Sequence, residues 1–115
     1  MATDGLWDNM FDVKIIDLVR PFLRDTDDLL DPELIAELIA HQAEQYSLQE
    51  NYASPFAKNA RDSYYDYNGG KPDDISVIVA QIMLAPKTVW FNSLIKITLV
   101  DLKSKSNKLK NQVVI

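Results

Sequence analysis

Apolar residues recur at helical spacing in three stretches of this 115-residue chain and gather into a β-branched run in a fourth. Ile15, Leu18, Val19 and Phe22 share one face if Asp12 to Leu23 is helical. Leu34, Ile35, Leu38, Ile39 and Gln42 make a second stripe leading toward Tyr46. That second helix has a sharp start: Asp31 can cap it, Pro32 suits the first helical position, and Glu33 complements the dipole. Ser54-Pro55 repeats this logic and predicts a third helix through Phe56, Ala57 and Ala60 to about Ser63. Ile75 to Met83 reads as a strand, ended by Pro86.

The remaining stretches connect these elements. Met1 to Thr3 reads as the end of a strand that stops at Asp4-Gly5, where Gly5 supplies freedom for a sharp turn. Asp25-Thr26-Asp27-Asp28 is a loop, and Tyr64, Tyr65 and Tyr67 lead into an Asn68-Gly69-Gly70 turn. Thr88 to Phe91 and Leu94 to Leu102 are further strand candidates; in the latter Ile95, Ile97 and Leu99 alternate with Lys96 and Thr98. Lys103 to Asn111 reads as a solvated tail. The pattern predicts an α+β fold: three helices between a short N-terminal strand and the Ile75–Met83 strand, over one face of a small antiparallel sheet. The opposite face would be apolar and uncovered.

Composition narrows the chemistry. A hydrophobic fraction of 47% and a charged fraction of 25% suit one globular domain. The absence of cysteine excludes disulfides, a thiolate zinc site and a cysteine nucleophile, and His41 is the single histidine. Any metal would be held by oxygen, which favours magnesium, manganese or calcium. Residues 1–83 carry 6 Lys/Arg against 16 Asp/Glu, whereas residues 84–115 carry 6 Lys against 1 Asp. The acidic part argues against nucleic acid as a ligand. No stretch is long and apolar enough to span a bilayer, and no targeting segment is legible after Met1.

Two acidic turns carry the candidate chemistry. Ala2-Thr3-Asp4-Gly5-Leu6-Trp7-Asp8-Asn9 opens the chain, and Gly69-Gly70-Lys71-Pro72-Asp73-Asp74-Ile75-Ser76-Val77-Ile78-Val79 follows later. Each places an Asp at a strand–turn junction, where a carboxylate can be aimed from a sheet edge at a hard cation. If the two strands are neighbours, Asp4 and Asp73 converge.

With Ser54-Pro55-Phe56-Ala57 between them, these runs resemble the C-terminal half of the metal-dependent serine/threonine phosphatases of the protein phosphatase 2C (PPM) family. The nearest likeness is to its organellar branch. The resemblance covers about residues 2–83, and the family's first half, with its own Asp-Gly motif, is not in the chain.

The resemblance implies part of a β-sandwich flanked by helices. It divides the chain into residues 1–83, the C-terminal part of the catalytic domain, and 84–115, a divergent lysine-rich tail. It makes Asp4 and Asp73 ligands of one cation in a binuclear Mg2+ or Mn2+ centre, with the bridging carboxylate in the other half. Asp8 matches a nearby acidic position whose role stays open. Substrates would be phosphoserine or phosphothreonine proteins, and the compartment mitochondrial or plastid. A start at Met1 cuts into a family strand, the mark of a fragment or shortened isoform. The isolated chain would hold half a site, be catalytically incomplete and contain no catalytic residue of its own. The alternative is a non-catalytic isoform or interaction module.

Other candidates read as structural. Asp25, Asp27, Asp28 and Asp31 lack the glycine and glutamate of an EF-hand loop. His41 has no second basic partner and reads as a surface histidine. Trp7 should pack beneath its turn, and Trp90 and Phe91 should pack or sit exposed in the tail.

Overall fold

A computed structural model describes residues 1–23, 31–83, 94–103 and 106–114. The expected Asp25–Asp28 loop, Pro86, the Thr88–Phe91 strand candidate, Trp90 and Phe91 lie outside those residues. The elements are α1 (Asp4–Trp7), α2 (Asp12–Val19), a 3-10 turn (Arg20–Phe22), α3 (Pro32–Ser47), α4 (Pro55–Asp62), β1 (Ile75–Met83), β2 (Leu94–Lys103) and β3 (Ser106–Val114).

The three strands form an antiparallel sheet in the order β1-β2-β3. β1 pairs with β2 from Ile75 opposite Leu102 to Met83 opposite Leu94. On the other side of β1 the first residues of the chain form a short antiparallel bridge, Ala2 to Val77. Thr3 N–H donates to Ser76 O (3.0 Å), and Ile78 N–H donates to Met1 O (2.8 Å).

The core joins α3 to one face of this sheet. Ile35, Ala36, Ile39, Ala40 and Ala43 pack with Ile75, Val77, Val100 and Leu102, and Leu6 and Met10 close one end. Alternation along β1 fits this placement, because Ile75 and Val77 are buried and the intervening Ser76 is not. α3 begins as expected: Leu34 N–H donates to Asp31 Oδ1 (3.1 Å) and Pro32 occupies the first turn. Its buried face is rotated from the expected stripe, since Leu34 and Leu38 are 40% and 36% exposed. The alanines take their place because small side chains let the helix approach the sheet closely.

Four further expectations are corrected. The helix from Asp12 stops at Val19 and tightens into the 3-10 turn at Pro21, whose ring cannot follow the carbonyl one turn back and which has no N–H. Asp4 begins a one-turn helix rather than ending a strand, and the Thr3 hydroxyl before it donates to the Asp74 carbonyl and accepts from Ser76 N–H instead of capping the helix. Trp7 is 45% exposed, and its indole N–H donates to Ala2 O (3.1 Å); Leu6 and Met10 are the buried residues at that turn. Lys103 and residues 106–111, expected as a tail without regular structure, fall in β2 and β3, which pair from Ile97 opposite Val114 to Lys103 opposite Ser106. The tail therefore extends the sheet begun by β1.

Candidate metal centre

The site lies where the bridge of residues 1–3 with β1 ends and both chains leave the sheet together. Past Thr3, α1 begins at Asp4 and Asp8 follows its last residue, one helical turn on, so both carboxylates can face the same side. Before Ile75, the Lys71–Asp74 loop carries Asp73. A carboxylate oxygen from each of Asp4, Asp8 and Asp73 lies within 4.8 Å of the other two. Asp4 is exposed, whereas Asp8 and Asp73 are half-buried.

Two features hold the segments in register. Gly5 packs directly on the loop: a Cβ there would overlap the Asp74 carbonyl oxygen and lie 3.1 Å from Ile75 Cγ1. Its backbone is helical, so close approach, not the sharp turn expected from the sequence, is what requires glycine. Asn9 is fully buried and bonds both sides. Its Nδ2 donates to Gly5 O and to Lys71 O, each at 2.8 Å, and its Oδ1 accepts from Lys71 N–H at 2.8 Å.

Lys71 brings a positive charge into the cluster. Its Nζ lies 2.7 Å from Asp8 Oδ2 and 3.7 Å from Asp73 Oδ2. The hydrogen bond to Asp8, reinforced by the charges of Asp8, Asp73 and Asp4, holds the ammonium above the usual lysine pKa range against a smaller opposing effect of burial. Nζ also lies over the Phe56 ring, 4.8 Å from its centroid. Asp73 Oδ1 accepts from Asp74 N–H (2.8 Å).

The loop is anchored from behind by α4. Ser54 Oγ caps α4 by accepting from Ala57 N–H (3.0 Å) and donates to Gly69 O (2.6 Å). Gly69 has φ of 92°, a left-handed conformation that glycine adopts without strain. Phe56 N–H donates to Asp8 O (3.0 Å), tying α4 to the end of α1. A cleft of about 140 Å³ lined by Glu44, Ser47, Leu48, Pro72, Asp73, Ile75 and Leu102 opens beside the cluster. A larger open groove of about 390 Å³, between Trp7, Phe11, Val13 and Pro55, does not include the three carboxylates.

The donor set suits a hard cation. Oxygen ligands at about 2.1 Å stand no more than about 4.2 Å apart across a magnesium ion, so three oxygens within 4.8 Å of one another are near the span that one ion bridges and would draw together on it. Partial exposure leaves room for water ligands, which magnesium retains.

Of the residues singled out in the sequence, Asp4 and Asp73 are thus brought together. His41 lies on the exposed surface of α3, 3.6 Å from Glu44. Sequence reasoning left Asp8 without a role and missed Asn9 and Lys71. The spacing of four between Asp4 and Asp8 was a signal for the first only to a reader expecting a helix there. Nothing local marks Asn9, whose partner is 62 residues away.

The protein phosphatase 2C family profile matches residues 1–52. "Protein phosphatase PTC7 homolog fig" of Drosophila ananassae is 38% identical over 85 residues, 71% of this chain. The chain belongs to the protein phosphatase 2C family. Two other relatives agree on this protein phosphatase 2C assignment. Human "Protein phosphatase PTC7 homolog" is 39% identical over 79 residues, 69% of the chain. "Probable protein phosphatase 2C 55" of Arabidopsis thaliana is 38% identical over 81 residues, 70% of the chain. The chain spans 25% of the length of the fly and human relatives and 17% of the Arabidopsis one. No solved structure matches it significantly. No helix among the described residues is long and apolar enough to cross a membrane.

Proposed function

We propose that this chain is part of a metal-dependent protein serine/threonine phosphatase, and that Asp4 and Asp73 hold one divalent cation, Mg2+ or Mn2+. The observation that carries this reading is the convergence of Asp4, Asp8 and Asp73 from segments nearly 70 residues apart in a protein phosphatase 2C chain. When bound, such a cation supplies Lewis-acid polarisation of a phosphoryl oxygen and a water of lowered pKa. The chain's own contribution is to orient. Asp4 and Asp73 present carboxylate oxygens, Asp8 adds a third negative group, and Asn9 with Gly5 keeps the two segments from separating.

Residues 1–83 are the phosphatase part in this reading, and the whole protein acts on phosphoserine and phosphothreonine proteins in mitochondria or plastids. This chain alone is catalytically incomplete, because the remaining ligands of a binuclear centre come from outside it. Manganese titration of the purified chain tests the ligands: binding should be weak and should weaken further in Asp4→Asn and Asp73→Asn. Equal binding by the parent and both variants would assign the ions to unrelated acidic loops and end this reading. The chain alone should not hydrolyse a phosphothreonine peptide with manganese present. A longer protein containing it should, and should stop on Asp73→Asn.

A further inference from the structure

We infer that Lys71 is a built-in competitor of the divalent cation, an ammonium that must leave Asp8 and Asp73 before an ion can be held and that thereby sets the affinity of the site. The inference rests on the metal reading above. It begins with which oxygens are open. Asp73 Oδ1 is engaged by Asp74 N–H, so Oδ2 is the oxygen best placed for a cation, and Oδ2 is the one Lys71 Nζ faces at 3.7 Å. The same Nζ holds Asp8 Oδ2 at 2.7 Å. A divalent ion drawn to these carboxylates would stand within a few ångströms of the ammonium, and two like charges that close repel strongly at a partly buried site.

The lysine is built to yield at its tip and not at its root. Its backbone N–H and C=O are both bonded to buried Asn9, each at 2.8 Å, so the residue stays in place. Its side chain is 33% exposed, so the ammonium has solvent to move into when it leaves the carboxylates. An ordinary structural salt bridge makes a different demand: its loss would cost stability and leave ion affinity unchanged or lower.

Manganese titration followed by electron paramagnetic resonance separates the two. Lys71→Met should bind manganese about tenfold more tightly than the parent, and Lys71→Arg should stay near the parent value. Lys58→Met, which removes an exposed lysine paired with Asp62 on α4, should change nothing. Unchanged or weaker binding by folded Lys71→Met would overturn the inference. Should Lys71→Met not fold, magnesium titration of the parent followed by NMR of the Lys71 side chain decides instead. Its Cε and Hε signals should shift in step with saturation, and signals that stay still at saturation would overturn the inference. If manganese binds the parent and Lys71→Met equally and Asp4→Asn abolishes both, the metal reading stands and this inference alone fails. If no form binds manganese or magnesium, both fall.

Discussion

The α3–sheet core and the acidic corner beside it are held together by different physics. The core is a continuous apolar contact in which Ile35, Ile39, Ile75, Val77 and Val100 are each nearly inaccessible to solvent. Its stability comes from area removed from water, spread over many small contacts. The corner has little apolar area. It is held by a glycine that lets two backbones touch, by one buried amide with bonds to both sides, and by a lysine among three carboxylates. A core of this kind resists the loss of any one contact gradually. A corner of this kind has a few contacts that carry position and charge, so changes there should alter ion binding more than stability.

The largest expected effect tests the core side. Ile35→Ala removes a fully buried side chain and should cost about 3 kcal/mol in urea unfolding, while manganese affinity of the folded fraction stays at the parent value. A parallel loss of affinity would mean that core and corner are one mechanical unit, and the contrast would fail.

Asn9→Ala comes next and tests the corner. It strands Gly5 O, Lys71 O and Lys71 N–H and should cost about 2 kcal/mol. Unlike Ile35→Ala it should also weaken manganese binding in protein that is still folded. Stability loss with no change in affinity would reduce Asn9 to another core contact.

Ser54→Ala should cost about 1 kcal/mol, through the lost α4 cap and the unpaired Gly69 carbonyl, with a small effect on the loop that carries Asp73. The smallest effect is expected from Lys58→Ala. It breaks a pair whose side chains are 62% and 65% exposed, and thermal unfolding should move by no more than about 0.5 kcal/mol. A larger change would give the α4 surface a role that neither region accounts for.

Elements marked by local chemistry were legible in the sequence. Asp31-Pro32 and Ser54-Pro55 announce α3 and α4 because capping and proline geometry act within one turn. Ile75–Met83 is a strand because β-branched side chains suit a pleated surface. The two Asp-bearing motifs, and the family that they resemble, were legible for the same reason, since each is a short contiguous run. Which face of α3 is buried was not legible. Alanine counts little in a hydrophobic pattern, yet it decides how closely a helix can lie on a sheet. The one-turn helix at Asp4 was too short to show a period, and β3 was hidden by a polar, lysine-rich composition because strand pairing is satisfied by backbone groups. Tertiary structure alone decided the corner: Asn9 meets Lys71 across 62 residues, Gly5 is needed because of Asp74, and an ammonium and three carboxylates share one space. No local rule contains such pairings, because they exist only once residues 1–3 have bridged to β1 and brought the two loops to the same edge.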